Sequence, residues 1–589
     1  MPYLCLMQEG NANLPRLIER ANLNGFNVIA APLNAMEIPL EFQKEPMNKA
    51  DSKFTYGDLL LTADQWNTKT ILMLSELIDC DSLDPVVRKN SEEIVRRDIS
   101  WAEHLQYAGY TMVKLRRAKN LNLARVLLVQ VPLYNATAAH AVWRRDLSEE
   151  EVLDLEQQDT WQWWNRFRLA ADFNSKMKVV LEFNEIERPS LDVIRRWVGE
   201  PLEAVIIPSN LFIRNRQKYP VLPKEWQQVL KCVLQAHANI VVATDANDNS
   251  LKLYSDYLQN FRDIHKDAHS LERDPVKYKM YQDAIAAALT DRVSASEIPN
   301  KLTVIMVLGA GRGPLVRSAL NAAENTKRKI RVYIIEKNPN AIRTLSAMVD
   351  ELWSTKDVHL FSKDMREFSP PEQADILVSE LLGSFGDNEL SPECLDCAQR
   401  LLKTDGISIP CKSISYINPI MSSKLYNAVR QVRNESFTRD KQATYLTHAE
   451  SGYVVLLKNI YNIGVPQSLF EFVHPNRDAI IDNSRYKILN FPVETDCILT
   501  GIGGYFESTL YSDIMISINP STHTPGLVSW FPMYFPFTEP VEVMKGQIIK
   551  IHFWRCVSKK KVWYEWCLTS PSTTHIHNLG GRSCHIYCT

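Results

Sequence analysis

Two glutamates, Glu380 and Glu389, stand at either end of the loop Glu-Leu-Leu-Gly-Ser-Phe-Gly-Asp-Asn-Glu, which follows the apolar run 375–379. An arginine guanidinium stays protonated in water and presents its donors in a rigid planar fork, which pairs best with carboxylates lying in its plane. Two carboxylates on one loop at the end of a strand therefore predict a site that grips an arginine side chain. Most acidic pairs in loops are solvated surface, so the prediction depends on the sequence around them.

A glycine turn lies upstream of this loop. The apolar run 303–308 predicts a buried strand, and Gly309-Ala-Gly311-Arg-Gly-Pro314-Leu leads from it into a helical stretch. Glycines let the backbone pass close to a ligand, and the free amides at the start of a helix attract a carboxylate or a phosphate. The dinucleotide fingerprint needs Gly or Ala where this chain has Pro314, which favours a methionine-type cofactor over NAD.

Acidic residues follow the next three predicted strands. Glu336 ends the second strand, where a carboxylate can accept hydrogen bonds from both ribose hydroxyls. Asp364 and Met365 follow the third strand, and Glu380 follows the fourth. Ligands bind beyond the carboxyl ends of parallel strands, so these residues are expected at one edge of a sheet. Their negative charge favours S-adenosylmethionine, which carries a sulfonium cation, over NAD, which carries a pyrophosphate.

This arrangement predicts a reaction. Glu380 and Glu389 would hold the guanidinium, concentrate its positive charge on the gripped side and direct the remaining terminal nitrogen toward the sulfonium methyl group. Placement of the reacting atoms at about 3–3.5 Å would supply most of the rate. One of the two acids could also accept the proton that methylation releases.

Composition limits the class of protein. The 589 residues are too many for one core, and 67 Lys and Arg against 69 Asp and Glu argue against bulk attraction to nucleic acid or to an anionic membrane. No apolar run approaches the roughly 18 residues that span a bilayer, and the first residues lack a signal-peptide pattern. Eleven scattered cysteines are typical of reduced intracellular thiols. Neither Cys394-x-x-Cys397 nor His575-x-His577 has further ligands nearby, so no metal is predicted.

Residues 1–245 alternate β-rich runs with helical stretches. Continuous apolar strands separated by helices predict a parallel sheet, and their number favours a TIM-like (β/α)₈ barrel, with a doubly wound sheet as the alternative. The tryptophans of Trp161-x-Trp163-Trp164 predict core or interface packing, with a binding platform as the alternative. No assignable set of catalytic residues follows the strands, which indicates a docking domain. The predicted strands are 27–30, 71–74, 111–115, 126–133, 178–183, 204–207 and 239–244.

The rest of the chain predicts two further domains. Residues 246–408 combine a helical linker with a Rossmann-type, S-adenosylmethionine-dependent methyltransferase domain. Residues 409–589 alternate strands and aromatic residues in the manner of an all-β barrel or sandwich, with predicted strands at 453–457, 514–518, 548–554 and 562–568. The predicted fold class is therefore α/β plus all-β.

Four motifs give a specific resemblance: 309–315, 335–340, 364–367 and 379–393. Together they resemble the protein arginine N-methyltransferase 5 family, whose members are type II enzymes, and the resemblance covers nearly the whole chain. It implies a TIM barrel, a Rossmann-type methyltransferase domain and a β-barrel, in that order. It also implies mono- and symmetric dimethylation of arginine in Gly/Arg-rich tails, including those of histones and spliceosomal Sm proteins.

The resemblance also implies roles for residues. Glu380 and Glu389 match the family's pair of catalytic glutamates. Trp530 and Phe531 match an aromatic loop that leans over the substrate arginine, where a flat cation against Trp530 is favourable; the alternative for this pair is β-barrel core. Lys277 matches a residue that reaches the carboxylate end of the cofactor. The complete set that would contact the cofactor is Lys277, Tyr278, Gly309, Gly311, Glu336, Asp364 and Met365.

Partners and location follow from the resemblance as expectations. In the family the barrel domain docks a WD40-repeat propeller subunit, and the assembly is a tetramer of such pairs. The expected location is cytoplasmic and nuclear. No direct contact with nucleic acid or membrane is expected.

One stretch departs from the family. Before Asp274 the family has a lid that ends in Tyr-Glu-Val-Phe, whereas residues 267–272 here read Asp-Ala-His-Ser-Leu-Glu, and a loop near 126–131 is also short. The shortened lid supports an alternative, a catalytically weak scaffold of the same family. A third hypothesis, an NAD-dependent dehydrogenase, is disfavoured by Pro314 and by the two glutamates where a hydride acceptor should lie.

Overall fold

The structure is a computed structural model that describes residues 3–8, 13–32, 61–74, 82, 84–104, 107, 111–114, 127–132, 160–183, 190–216, 218–264, 274–435 and 447–588. The chain forms two compact units. The first comprises residues 1–268, 422–427 and 458–461, and the second comprises residues 269–421, 428–457 and 462–589. The domain boundaries at 245/246 and 408/409 stay predictions.

Eight parallel strands close into a barrel in the first unit: β1 (Leu4–Gln8), β2 (Val28–Pro32), β3 (Thr70–Met73), β4 (Thr111–Lys114), β5 (Leu127–Pro132), β6 (Met177–Glu182), β7 (Leu202–Pro208) and β10 (Asn239–Thr244). Two short strands, β8 (Ile213–Arg214) and β9 (Pro220–Val221), form a hairpin outside the barrel. The spatial order is β1-β10-β7-β6-β5-β4-β3-β2, so that β1 closes the barrel by pairing with β10 and β2.

The predicted TIM-like barrel is confirmed, and the doubly wound alternative is wrong for this unit. Buried side chains such as Val180, Ile206 and Val241 form its apolar cluster, as the continuous apolar strands require. The strand β1 was not among the seven predicted, because its apolar run is only a few residues long. The segment near 126–131 contains β5, but residue 126 and the side chains of β5 lie outside the described part of the chain.

Helices alternate with the strands of the barrel: α1 (Leu14–Leu23), α2 (Ala63–Lys69), α3 (Pro85–His104), α4 (Trp161–Ala170), α5 (Leu191–Val198), α6 (Lys224–Gln235) and α7 (Leu251–Ile264). Side chains of Asn13, Thr62 and Ser190 cap α1, α2 and α5 by accepting first-turn amides. All three tryptophans of α4 are buried. The prediction that they pack in a core is confirmed.

The second unit contains a five-stranded parallel sheet: β11 (Leu302–Leu308), β12 (Lys329–Glu336), β13 (Val358–Ser362), β14 (Ala374–Ser379) and β15 (Leu402–Ile409). Its order is β13-β12-β11-β14-β15. Strands β12 and β13 extend the sheet on one side of β11 and strands β14 and β15 on the other, and this change in connection order between β11 and β14 is the switch point at which Rossmann-type sheets bind ligands. The predicted Rossmann-type architecture is confirmed.

Four helices accompany this sheet, α8 (Pro275–Arg292), α9 (Pro314–Thr326), α10 (Pro339–Glu351) and α11 (Ser391–Ala398), and α12 (Ser423–Glu435) follows later in the chain. Each of the first four has proline in its first turn, where the missing N–H costs nothing because that group has no partner within the helix. Ala284 and Ala288 of α8 pack into the same core as Ile305 of the sheet.

Two antiparallel sheets form the C-terminal part. The first sheet has the order β17-β23-β21-β16-β18, with β19 also paired to β16 and β22 to β21, and the second has the order β20-β24-β25-β26. Phe553 of the second sheet contacts Phe535 of the first at 5.1 Å between ring centroids, so the sheets face each other as a sandwich. The strands are β16 (Lys412–Met421), β17 (Tyr453–Val454), β18 (Tyr461–Asn462), β19 (Gln467–Val473), β20 (Arg485–Pro492), β21 (Cys497–Tyr511), β22 (Ile514–Ser517), β23 (Met533–Val543), β24 (Ile548–Val557), β25 (Lys561–Ser570) and β26 (Ile586–Tyr587).

A buried ion pair anchors α4 within the first unit. The Arg168 guanidinium pairs with Glu200, and both side chains are at most 3% exposed. The Glu200 carboxylate also accepts hydrogen bonds from Trp161 Nε1 and Ser423 Oγ, each at 2.8 Å. A buried pair of this kind adds little net stability, but removing one partner leaves the other charge uncompensated.

The substitution Arg168→Met therefore should destabilise the barrel by about 3–5 kcal/mol. The double variant with Glu200→Gln should lose less than the single variant, because no buried charge remains. Hydrogen exchange of the β7 amides measures this local stability, and Arg195→Met on the exposed face of α5 is the control. Equal losses in the single and double variants would contradict the ion-pair account.

Candidate active site

The carboxyl ends of four neighbouring strands bring the predicted residues to one edge of the parallel sheet. Asp364 follows β13, Glu336 ends β12, Gly309 follows β11 and Glu380 follows β14. The four strands lie side by side in that order. Leu308, the last residue of β11, pairs with Ile335 of β12 and with Ser379 of β14, which lie at or next to the ends of their strands. The predicted placement at one sheet edge is confirmed.

Three glycines shape the turn after β11, each with positive φ. A Cβ on Gly313 would lie 3.0 Å from the Trp353 ring and 3.1 Å from Leu345, so this glycine permits close packing of α9. A Cβ on Gly311 would meet no atom within 4 Å. The turn is therefore packed on one side and open at Gly311.

Glu336 organises the open side of this turn. One carboxylate oxygen accepts the amide of Gly311 at 2.8 Å, and the other accepts the amides of Lys337 and Asn338, each at 2.8 Å. Its side chain is nearly buried, at 8% residue exposure. The carboxylate is thus fixed beside the glycine turn.

Asp364 is ion-paired in the structure. Its carboxylate accepts hydrogen bonds from Arg366 and lies 3.3 Å from Lys337 Nζ. The Arg366 guanidinium is the main reason that the pKa of Asp364 lies well below its ordinary value. Met365 lies closer to the turn, since a Cβ on Gly309 would be 3.9 Å from its Cε. Its methyl group lines the same edge as the glycines.

The segment from Glu380 to Glu389, here called the two-glutamate loop, folds back on itself. Gly383 and Gly386 exchange backbone hydrogen bonds, and the amide of Phe385 donates to Asn388 Oδ1 at 2.6 Å. A Cβ on Gly383 would collide with the Asn388 side chain. The glycines of the loop therefore meet a steric requirement of this tight fold.

Asp387, in the middle of the loop, is fully buried and binds residues of the C-terminal sheets. It accepts hydrogen bonds from Arg555 Nε at 2.5 Å, Tyr564 Oη at 2.7 Å and Ser415 Oγ at 2.9 Å. Arg555 also forms two hydrogen bonds with the Glu393 carboxylate, at 2.8 and 2.9 Å. The two acids fix the position of the Arg555 guanidinium, and this contact in turn stabilises the fold of the loop.

The two glutamates at the ends of the loop are electrostatically coupled. The pKa of Glu389 is raised, first because neighbouring protein atoms partly desolvate its carboxyl group, and second by the negative charge of Glu380. Among the described residues, none donates a hydrogen bond to the Glu389 side chain, which is exposed to solvent. The two carboxylates therefore influence each other electrostatically, and the Glu389 carboxylate is available to accept hydrogen bonds from a cation.

In the structure, the Lys277 ammonium group forms an ion pair with the Glu380 carboxylate. Its Nζ lies 3.2 Å from Glu380 Oε2 and 4.9 Å from the ring centroids of both Tyr278 and Trp530. An ammonium between a carboxylate and two aromatic faces occupies the kind of environment that suits a guanidinium. The expected role of Lys277 at the carboxylate end of a cofactor stays a prediction.

Trp530 packs partly against the hydrophobic core, whereas Phe531 does not. Trp530 is half-buried, donates from Nε1 to the carbonyl of Leu382 at 3.0 Å and packs edge-on against Phe506. Phe531 is 41% exposed. The β-barrel-core alternative is therefore wrong for Phe531, and the Trp530 ring lies beside the two-glutamate loop.

Some site residues were missed from the sequence. Asp274 caps α8 and binds the segment before Trp530, and the Asp-Pro pair at a helix start was a signal that could have found its capping role. Asp387 and Arg555 gave no usable signal, because their contact joins residues far apart in the chain. The lid residues 267–272 lie outside the described part of the chain.

The residues present fit a nucleoside cofactor of the sulfonium type. Gly311 leaves open space at the switch point, the Glu336 carboxylate is fixed beside it, and Tyr278 offers a half-buried ring on the neighbouring helix. Acids at three strand ends suit a cation. Within the described residues, no group of three or more His, Cys, Asp or Glu side chains could hold a metal ion, and no helix is long and apolar enough to cross a membrane.

Three protein-family models match this chain and together cover most of it. The description "PRMT5 TIM barrel domain" matches residues 25–267, "PRMT5 arginine-N-methyltransferase" matches residues 246–409, and "PRMT5 oligomerisation domain" matches residues 412–586. The three matches follow the order of the barrel, the parallel sheet and the antiparallel sheets.

Two relatives that match nearly the whole chain share a name. Protein arginine N-methyltransferase 5 of Drosophila melanogaster is 50% identical, with 98% of each chain covered. The protein of that name from Xenopus laevis is 39% identical over 95% of this chain and 94% of its own. Among solved structures, the Trypanosoma brucei PRMT1 enzyme-prozyme complex with AdoHcy aligns with a TM-score of 0.44 and 14% identity, over 51% of this chain and 94% of that chain.

Two glycines of the turn allow a matched test. In Gly313→Ala the new methyl group would contact Trp353 and Leu345 at a positive φ, so we expect a stability loss of about 1–3 kcal/mol. In Gly311→Ala the methyl group would enter the open space, so we expect a smaller stability loss but at least a tenfold weaker affinity for S-adenosylmethionine. Thermal denaturation and calorimetry measure the two effects. Unchanged cofactor affinity in Gly311→Ala would contradict the placement of the cofactor.

The raised pKa of Glu389 predicts that the ionised form of this side chain destabilises the folded protein. A carboxyl group with a raised folded-state pKa lowers stability as pH rises through that value, because the unfolded state releases the proton more readily. Glu389→Gln should therefore raise the melting temperature slightly at pH 7. The difference should shrink and disappear as the pH falls well below the ordinary glutamate pKa, because Glu389 is then protonated in both states. Glu494→Gln, at an exposed turn, is the control, and a lower melting temperature for Glu389→Gln at pH 7 would refute the coupling.

Proposed function

The chain belongs to the protein arginine N-methyltransferase 5 family, and on that premise we propose that it forms monomethylarginine and symmetric dimethylarginine in Gly/Arg-rich protein tails. Membership establishes the class of reaction and the cofactor: the protein is an arginine N-methyltransferase that uses S-adenosylmethionine. The type II product and the substrates are the proposal.

The observation that carries the proposal is the coupling of Glu380 and Glu389 at the two ends of one rigid loop. Their mutual repulsion is relieved when a cation lies between them, and a guanidinium offers donors to both in one plane. A lysine ammonium is a compact point charge and cannot present that planar fork. The pair therefore favours arginine over lysine as the methyl acceptor.

The chain's own residues position the acceptor. When bound, S-adenosylmethionine supplies a methyl group activated by the sulfonium charge. Glu380 and Glu389 hold the guanidinium, draw its positive charge toward the gripped side and leave one terminal nitrogen free. The exposed carboxyl group of Glu389 can take the proton that methylation releases, because its raised pKa makes it a stronger base than an ordinary glutamate. The Trp530 ring covers the planar cation from the side.

Substrates and partners extend the proposal. Histone and Sm-protein tails present arginines without surrounding structure, which suits a site entered past the exposed Phe531. The domain described as an oligomerisation domain indicates that the chain forms oligomers. We further propose that the oligomer is a tetramer, that the barrel binds a WD40-repeat propeller subunit, and that the protein acts in the cytoplasm and nucleus in histone methylation and spliceosomal snRNP assembly.

The substitution Glu380→Gln should lower the rate of methyl transfer by about 100-fold or more, while cofactor affinity stays within about threefold of wild type. The reason is that the neutral amide no longer grips the guanidinium, whereas the glycine turn and Glu336 are untouched. Labelled S-adenosylmethionine with a Gly/Arg-rich peptide measures transfer, calorimetry measures cofactor affinity, and amino-acid analysis identifies the product. Glu351→Gln, at the exposed end of α10, is the charge control.

Two outcomes would contradict the proposal. Equal turnover in Glu380→Gln would overturn the role of that residue. Wild-type protein that binds the cofactor but transfers no methyl group, even with a propeller subunit present, would favour the scaffold alternative suggested by the shortened lid. Asymmetric dimethylarginine as the product would keep the reaction class and refute type II specificity.

A further inference from the structure

Asp274 joins two parts of the active site that are distant in the sequence. Its Oδ1 accepts the amides of Val276 and Lys277, each at 3.1 Å, and so caps the start of α8. Its Oδ2 accepts the amides of Val528 and Ser529, each at 2.9 Å, and the Ser529 hydroxyl at 2.8 Å. One carboxylate therefore receives five hydrogen bonds from two separate elements.

Each of these elements carries residues of the site. The first turns of α8 carry Lys277, which pairs with Glu380, and Tyr278, which is expected to contact the cofactor. Residues 528–531, here called the aromatic segment, carry Trp530, which hydrogen bonds to Leu382 in the two-glutamate loop. The helix, the aromatic segment and the loop are thus connected in a closed ring, and Asp274 supplies one of its three connections.

A charged carboxylate is required at this connection. Burial alone would raise the pKa of Asp274, but the hydrogen bonds from Val528, Ser529 and Lys277 outweigh it and lower the pKa below its ordinary value. An asparagine would replace one acceptor oxygen by an NH₂ group that faces N–H donors. The isosteric change Asp274→Asn therefore disconnects one element at least.

Close packing at the same place limits how far the aromatic segment can compensate. A Cβ on Gly526, just before the segment, would lie 3.2 Å from Val276 of α8, so the backbone of the segment runs against the helix start. The contact is maintained from both sides, by packing at Gly526 and by the carboxylate at Asp274.

We propose that Asp274 is a positioning residue for arginine methylation, which sets the aromatic segment against α8 so that binding of the cofactor and binding of the arginine substrate reinforce each other. The proposal rests on the proposed function for the role of the aromatic segment in holding arginine. It assigns Asp274 no contact with substrate or cofactor; the residue acts through Lys277, Tyr278 and Trp530.

The test uses the full-length protein with Asp274→Asn and Ser529→Ala. For Asp274→Asn we expect a peptide KM raised about 10–100-fold, because hydrogen bonds to a charged group are lost, whereas cofactor affinity without peptide changes by less than about threefold. Ser529→Ala, which removes only the hydroxyl donor, should give a smaller rise in KM. Asp482→Asn, the same substitution at an exposed turn, should leave all values unchanged.

Two further readouts separate positioning from simple stability. Wild-type protein should bind S-adenosylmethionine more tightly when an arginine peptide is present, and Asp274→Asn should lose this enhancement. Hydrogen exchange at Val528 and Ser529 should accelerate in Asp274→Asn without cofactor or peptide, which tests the connection even if the wild type transfers no methyl group. Unchanged exchange, or losses of peptide affinity and cofactor affinity by equal factors, would overturn the proposal.

Discussion

The buried guanidinium of Arg555 is the contact on which the active site depends. It lies between Asp387 of the two-glutamate loop and Glu393 of the helix that follows, and its side chain is inaccessible to solvent. Removing the Arg555 side chain would leave the buried Asp387 carboxylate without a counter-charge, at a cost of about 3–5 kcal/mol. The antiparallel sheets thereby fix the shape of a loop that grows from the parallel sheet, and neither part could form the site alone.

That rigidity serves an arrangement that is unfavourable without a ligand. Glu380 and Glu389 repel each other, and Lys277 partly neutralises Glu380 from the side of α8. A loop free to relax would separate the two carboxylates, whereas a loop fastened at Asp387 and tightened at Gly383 keeps them near each other. A substrate guanidinium then gains the interactions that the free protein lacks, which is preorganisation for a cation.

The sequence was sufficient where signals are local. The glycine turn, Glu336, Asp364 and Glu380 could be placed at one sheet edge because each directly follows a strand with a clear apolar pattern. The short strand Leu4–Gln8 was missed, since a brief apolar run near a terminus has no distinctive period. Asp274 and Arg555 were also missed, because their partners lie more than 150 residues away and no spacing rule connects them. Long-range polar contacts need the fold.

The central claim is that two carboxylates grip one guanidinium. A crystal structure of the protein with S-adenosylhomocysteine and an arginine peptide tests it most directly. Our account predicts that the guanidinium lies within hydrogen-bonding distance of both Glu380 and Glu389, with the Trp530 ring beside it. A guanidinium bound by only one of these carboxylates, or bound away from the two-glutamate loop, would contradict the account.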